Sequence, residues 1–153
     1  MAFFFLKRKA RFFTHEEASR VLEAIRSSEQ KTSGEIRVFI ESRCKYVNPI
    51  DRAAELFWLL QMDHTQERNA VLIYIASKDH QVAIWGDDGI HKIAGPDFWK
   101  NEIGLVINHF RHNAYAEGLV LAIHDIGDLL SQHFPYKPTT DKNELPDDII
   151  FGH

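Results

Sequence analysis

The stretch from Asn69 to Ile90, NAVLIYIASKDHQVAIWGDDGI, sets the tightest limit on what this chain can fold into. Ala70 to Ala76 is an apolar run too short for a helix and rich in Val, Ile and Tyr, which reads as a buried strand. Ser77 to His80 is a polar turn. Gln81 to Trp85 then alternates, with Val82 and Ile84 on one face and Ala83 and Trp85 on the other, as a returning strand does. In such a hairpin the end of the second strand, at Gly86, Asp87 and Asp88, lies beside the start of the first, at Arg68 and Asn69. Polar chemistry is expected at that end.

The residues upstream supply a partner for this hairpin. Thr14 and Glu17 have capping-box spacing, Phe13 sits at the staple position, and Ala18, Val21, Leu22 and Ile25 keep one apolar helical face. From Glu35 to Glu41 the period switches to two, with Ile36, Val38 and Ile40 inward and Arg37 and Glu41 outward; Phe39 implies partial cover of the second face. Asn48 and Pro49 then open a helix with Asn as cap and Pro in the first turn, carrying Ile50, Ala53, Ala54, Phe57 and Leu60 on one side to about Met62. Strand, helix, strand in that order is a crossover. It makes the strands at Ile36 and Val71 parallel and puts Gly34 and Glu35 on the same edge as Arg68, Asn69 and Asp87.

Beyond Gly89 the pattern is helical. Pro96 opens a segment with Trp99, Ile103, Val106, Ile107 and Phe110 at helical spacing, and a longer one carries Leu119 through Leu130 to Phe134, where Pro135 stops it. The tail from Tyr136 to His153 is polar and aperiodic, extended or disordered apart from a docking point at Ile149 to Phe151. The expected fold is an α/β three-layer sandwich: a small mixed β-sheet of about four strands, crossover then hairpin, with helices on both faces. The expected division is residues 1–13 as a Phe-rich and basic segment, 14–135 as the domain, and 136–153 as the tail.

Composition narrows the function classes. A chain of 153 residues with 44% hydrophobic residues can form a core unaided, and a formal charge of -4 argues against nucleic acid. Cys44 is the only cysteine, which fits a reducing compartment and excludes a thiol cluster. In MAFFFLKRKARFF the basic residues follow a short apolar run, the reverse of a secretory signal, and no run is long enough to span a bilayer, so the expected location is cytoplasmic. The Phe-rich start is read as packing on the domain, or else as contacting a membrane surface or a partner. No HExxH, GxSxG or GxxxxGK[ST] occurs among the motifs, although the chain has nine histidines.

Two site readings share the hairpin's polar end. Oxygen donors at Glu35, Asp87 and Asp88, with Asp97 at the next helix, suit calcium or magnesium, and Gly86 and Gly89 let the backbone turn around the ion. Alternatively Arg68 and Asn69, with the main chain at Gly86 and Gly89, hold a phosphate on a phosphorylated small molecule. The plainer readings are that Asp87 and Asp88 turn the chain and cap a helix, and that Arg68 pairs with Glu67, Asp63 or Glu35.

The runs Thr32-Ser33-Gly34-Glu35-Ile36-Arg37-Val38, Thr65-Gln66-Glu67-Arg68-Asn69 through Ala76, Ala83-Ile84-Trp85-Gly86-Asp87-Asp88-Gly89-Ile90 and Glu117-Gly118-Leu119 with Gly127 together resemble the TPM domain family over about Thr14 to Pro135. The resemblance implies a compact domain of about four strands flanked by helices. Members are often secreted or membrane-anchored; some are described as acid phosphatases or in repair of the photosynthetic apparatus, and calcium has been found in the domain. This chain resembles a stand-alone soluble branch. Glu35, Arg68, Asn69 and Asp87 fall on the family's recurrent polar positions, whereas Gly86-Asp87-Asp88 replaces a Gly-Tyr-Gly sequence of other members. The expected roles are therefore divalent-cation binding, weak metal-assisted phosphomonoester hydrolysis, or a protein-protein interaction module.

Overall fold

A computed structural model describes residues 12–137 and 149–152. Its elements run α1 (His15–Glu29), β1 (Glu35–Glu41), α2 (Pro49–Leu59), β2 (Ala70–Ala76), β3 (Gln81–Gly86), α3 (Asp88–Arg111), α4 (Tyr115–His133) and β4 (Ile149–Phe151). The sheet order is β3-β2-β1-β4. β1 pairs parallel to both β2 and β4, and β2 pairs antiparallel to β3, so the sheet is mixed. The expected crossover and hairpin are both present. The fourth strand comes from the docking point at Ile149 to Phe151, so the segment read as a tail returns to complete the sheet.

Local signals start the helices where the sequence placed them. Thr14 Oγ1 accepts from the Glu17 N–H and Glu17 Oε1 accepts from the Thr14 N–H, which closes the capping box. Asn48 Oδ1 accepts from the Ile50 N–H, with Pro49 in the first turn. Residues 88–111 are one helical run broken at Gly95, whose φ of 76° is open to glycine at no steric cost; Pro96 restarts the helix.

Two cores flank the sheet. Ile36, Val38, Ile40, Val71, Ile73 and Ile75 pack against α1, α3 and α4, whereas Phe39, Leu72, Tyr74 and Ala83 pack against Ala53, Leu56 and Phe57 of α2. All seven residues of β1 are buried. Arg37 and Glu41, expected to face outward, are 3% and 7% exposed, because the second face also packs into a core that includes α2. Glu41 is stabilised there by a bidentate pair with Arg52 (2.9 and 3.0 Å) and by the Tyr74 hydroxyl; Arg52 and Tyr46 also bond Glu55.

Candidate functional site

The amino edge of the sheet gathers the polar residues. Glu35 stands opposite Ala70 in the β1–β2 register, and the Ala70 carbonyl accepts from the Asp87 N–H at 2.9 Å. Glu35, Ala70 and Asp87 thus form one row across three strands, as strand directions required.

Arg68 and Asp87 meet in this row. Nε of Arg68 donates to Oδ2 of Asp87 at 2.6 Å and Nη2 to Oδ1 at 2.8 Å, so the pair is bidentate. The Asp87 carboxylate is 2% exposed and the guanidinium 40%, so the ion pair is open to solvent on the arginine side only. Arg68 has φ of 51°, the left-handed region that a branched or long side chain enters only when its surroundings hold it. Gly89 explains part of that hold. Its N–H donates to the Arg68 carbonyl at 2.9 Å, and a Cβ there would lie 2.2 Å from the Glu67 oxygen and 2.6 Å from the Arg68 oxygen. Asp87 is also the N-cap of α3, accepting from the Asp88 N–H at 2.8 Å. The capping role expected for it is real. The partner of Arg68 is Asp87 and none of Glu67, Asp63 or Glu35.

A second group adjoins this pair. Asn69, 1% exposed, donates from Nδ2 to Ser33 Oγ at 3.1 Å and to Glu67 Oε2 at 3.4 Å, while Ser33 Oγ donates to the same Glu67 oxygen at 2.7 Å. Lys137 Nζ donates to Glu67 Oε1 at 2.9 Å. Lys137 first, then Ser33, hold the Glu67 carboxyl below the usual carboxylate range. The carboxylate and hydroxyl beside Nδ2 fix the orientation of the Asn69 amide, since a flip would set its oxygen against theirs. Its Oδ1 is buried with no hydrogen-bond partner among the described residues. Ser33 itself is positioned by the end of α4: its N–H donates to the Phe134 carbonyl at 3.0 Å and the neighbouring Thr32 hydroxyl bonds the same oxygen.

The remaining residues of the expected site fall apart from this centre to different degrees. Asp88 is 78% exposed and 4.0 Å from Arg68 Nη2. Glu35 is buried at the first position of β1. Gly86 abuts the Trp99 ring, which a Cβ would approach to 2.6 Å, so its smallness serves packing. Asp97 is exposed beyond the Gly95 break, and no hydrogen bond or ion pair joins it to Arg68 or Asp87 among the described residues. Among those residues no three side chains of His, Cys, Asp or Glu stand together as a metal-holding group. Sequence reading left Ser33 and Glu67 out of the site, though they flank Gly34 and Arg68 and share that edge. His109 and His112 each set Nδ1 at 2.9 Å from a carbonyl four residues back in their own helix, Leu105 and Asn108. No helix of the described residues is long and apolar enough to cross a membrane.

Comparison with known proteins places the whole arrangement. The NMR structure of the BA42 protein from the psychrophilic bacterium Bizionia argentinensis is 39% identical, with 92% of this chain and 96% of that chain covered and a TM-score of 0.82. The solution NMR structure of the N-terminal domain of a P. gingivalis protein covers 84% of each chain at a TM-score of 0.59 and 14% identity, a likeness of fold alone. No curated protein matches. The model of the TPM domain matches residues 6–129, across all the elements that build the amino edge, and the chain therefore belongs to the TPM domain family.

Proposed function

We propose that the amino edge around Asp87 binds a divalent cation, calcium or magnesium, and that the chain is a cation-dependent binding domain in preference to an enzyme. The observation that carries this reading is the buried Asn69 Oδ1, which has no hydrogen-bond partner among the described residues. A buried acceptor without a donor is costly, and a hard cation satisfies such an oxygen as a donor would. Asp87 and Asp88 supply carboxylates at the same edge, and Glu35 begins the neighbouring strand. Arg68 now fills the cationic place beside Asp87, and its partial exposure leaves it room to swing aside. Two carboxylates with neutral oxygens suit the weak end of the calcium range, Kd on the order of 10⁻⁴ to 10⁻³ M.

Phosphomonoester hydrolysis ranks lower. Ser33 Oγ on Glu67 has the look of a nucleophile and its base, but a carboxylate held below its usual range takes a proton poorly at neutral pH. The Asp87 and Asp88 carboxylates also repel a phosphate from the Arg68 guanidinium.

The test titrates calcium and magnesium separately into chelator-treated protein while amide resonances are followed, for the wild type, Asp87→Asn and Arg68→Ala. Saturable shifts are expected at Gly34 to Ile36, Asn69 and Asp87 to Gly89, lost in Asp87→Asn. Arg68→Ala is expected to bind about tenfold more tightly, because it leaves Asp87 without its counter-charge. No shift at these amides at concentrations well above the stated Kd range overturns the reading. Saturable, metal-dependent hydrolysis of p-nitrophenyl phosphate, lost in Arg68→Ala, would replace it with the phosphatase.

A further inference from the structure

β3 is an edge strand in the order β3-β2-β1-β4. Its ladder with β2 runs unbroken from Val71↔Gly86 to Ala76↔Gln81. The Asp87 N–H donates to Ala70, so by antiparallel alternation Trp85, Ala83 and Gln81 also direct their main-chain groups at β2. Val82, Ile84 and Gly86 direct theirs the other way. Three N–H and three C=O groups therefore face out along this edge, and no described strand pairs with them. Edges of this kind are normally blunted by lysine, proline or a bulge, and Val82 to Gly86 has none of these.

The edge is set back. It forms the floor of a recess of about 490 Å³ whose walls are Pro49 and Ile50 at the start of α2 and Trp99 and Ile103 of α3. That volume lies within the range of ligand-binding clefts. The Trp99 wall is fixed, with Nε1–H donating to His91 Nδ1 at 3.1 Å and the indole lying over Gly86. Two charged residues line the recess. Asp88 lies 4.0 Å from the Arg68 guanidinium, whereas the exposed Lys100 makes no ion pair among the described residues. With no carboxylate within 4.0 Å among the described residues, Lys100 is the point of the recess that accepts an acidic side chain.

We propose that this recess binds an extended segment of another protein, which adds to β3 as a fifth strand, apolar at its centre and with an acidic side chain against Lys100. Strand addition joins the outward amides and carbonyls to a partner main chain, and the aromatic and aliphatic walls select apolar side chains on both faces. A second copy fits poorly. Its own β3 is equally recessed, so α2 and α3 of the two copies would collide before the strands reached the ~4.8 Å spacing of a ladder.

The test uses the full chain in the presence of a chelator, so that its outcome is independent of cation binding. The probes are capped heptapeptides of alternating Val and Thr with one Glu moved through the central five positions, a matching Lys series, and a Glu peptide N-methylated at alternate amides. In the free protein the amides of Val82, Ile84 and Gly86 are expected to exchange faster than those of Ala83 and Trp85. At least one Glu peptide is expected to protect all three amides and shift resonances at Ile50, Trp99 and Ile103. Its N-methylated form is expected not to bind. Lys100→Glu is expected to weaken that peptide about fivefold and to tighten the corresponding Lys peptide. The proposal is overturned if no peptide gives saturable shifts, if shifts fall elsewhere, or if N-methylation has no effect. It is also overturned if the three amides are already protected in the monomer, or become so with protein concentration alone, which would make a second copy the occupant.

Discussion

Glu102 on α3 is 6% exposed, with one carboxylate oxygen lacking a hydrogen-bond partner among the described residues. Burial first, then a hydrogen bond and repulsion from Asp125 on α4, push its carboxyl up to about 8. In the unfolded chain a glutamate titrates near ~4.3. The folded state therefore holds the proton longer than the unfolded state, and stability falls as pH rises from about 4.3 to about 8. At pH 7 the ceiling on this loss is about 3.7 kcal/mol, from ~1.36 kcal/mol per pH unit. Water reaching the carboxyl past the exposed Asp125 lowers the cost of ionising it, so about 2 kcal/mol is the expectation. Glu102→Gln keeps the shape without the charge. Its advantage over the wild type should be near zero at pH 4 and grow to about 2 kcal/mol at pH 7, or ~4–8 °C in Tm for a chain of this size. Urea unfolding of both proteins at pH 4, 5, 6, 7 and 8 reads this directly. An advantage that does not change with pH, or a variant weaker than the wild type at pH 7, would refute the reasoning.

Two further pairs of substitutions test the packing around the sheet. Arg52→Ala leaves Glu41 buried without its counter-charge and should cost about 3–5 kcal/mol in denaturant unfolding, whereas Tyr74→Phe removes one bond to the same carboxylate and should cost about 1–2 kcal/mol. Equal costs would show that Arg52 does not carry the charge balance. Gly89→Ala forces a Cβ onto the Glu67 and Arg68 carbonyls and should cost about 2–3 kcal/mol with displaced resonances at Arg68 and Asp87, while Gly104→Ala, where a Cβ meets nothing within 4 Å, should stabilise by about 0.5–1 kcal/mol.

The hairpin and the crossover were legible because period-two runs and cap residues are local signals. Val82, Ile84, Thr14 and Asn48 declare themselves within a few positions. The row Glu35, Ala70, Asp87 followed from strand direction alone. What the sequence concealed were choices made across the fold. Arg37 and Glu41 occupy the polar places of an alternating strand, and nothing nearby in sequence says that both will be buried and that Arg52 will neutralise Glu41. Glu102 sits between the apolar positions Trp99 and Ile103 and is drawn inward by the approach of α4. Arg68 has acidic neighbours at Asp63 and Glu67, yet its left-handed backbone aims it at Asp87. Asp97 looked close to Asp87 in sequence, and the break at Gly95 sends it along a separate helical segment.

The placement of β4 has a consequence for how the chain is made. β1 is central in the sheet, and its register with β4 joins Val38 to Ile149 and Ile40 to Phe151, more than a hundred residues apart. A ribosome adding about 5–20 residues per second delivers that partner some 5–20 s after β1 itself. Through that interval the nascent sheet can join β1 to β2 and β3 but presents the other side of β1, with Val38 to Ile40, as an open hydrogen-bonding rim. A chaperone holding that rim, or a neighbouring nascent chain pairing with it, competes with the protein's own β4 for the same main-chain groups.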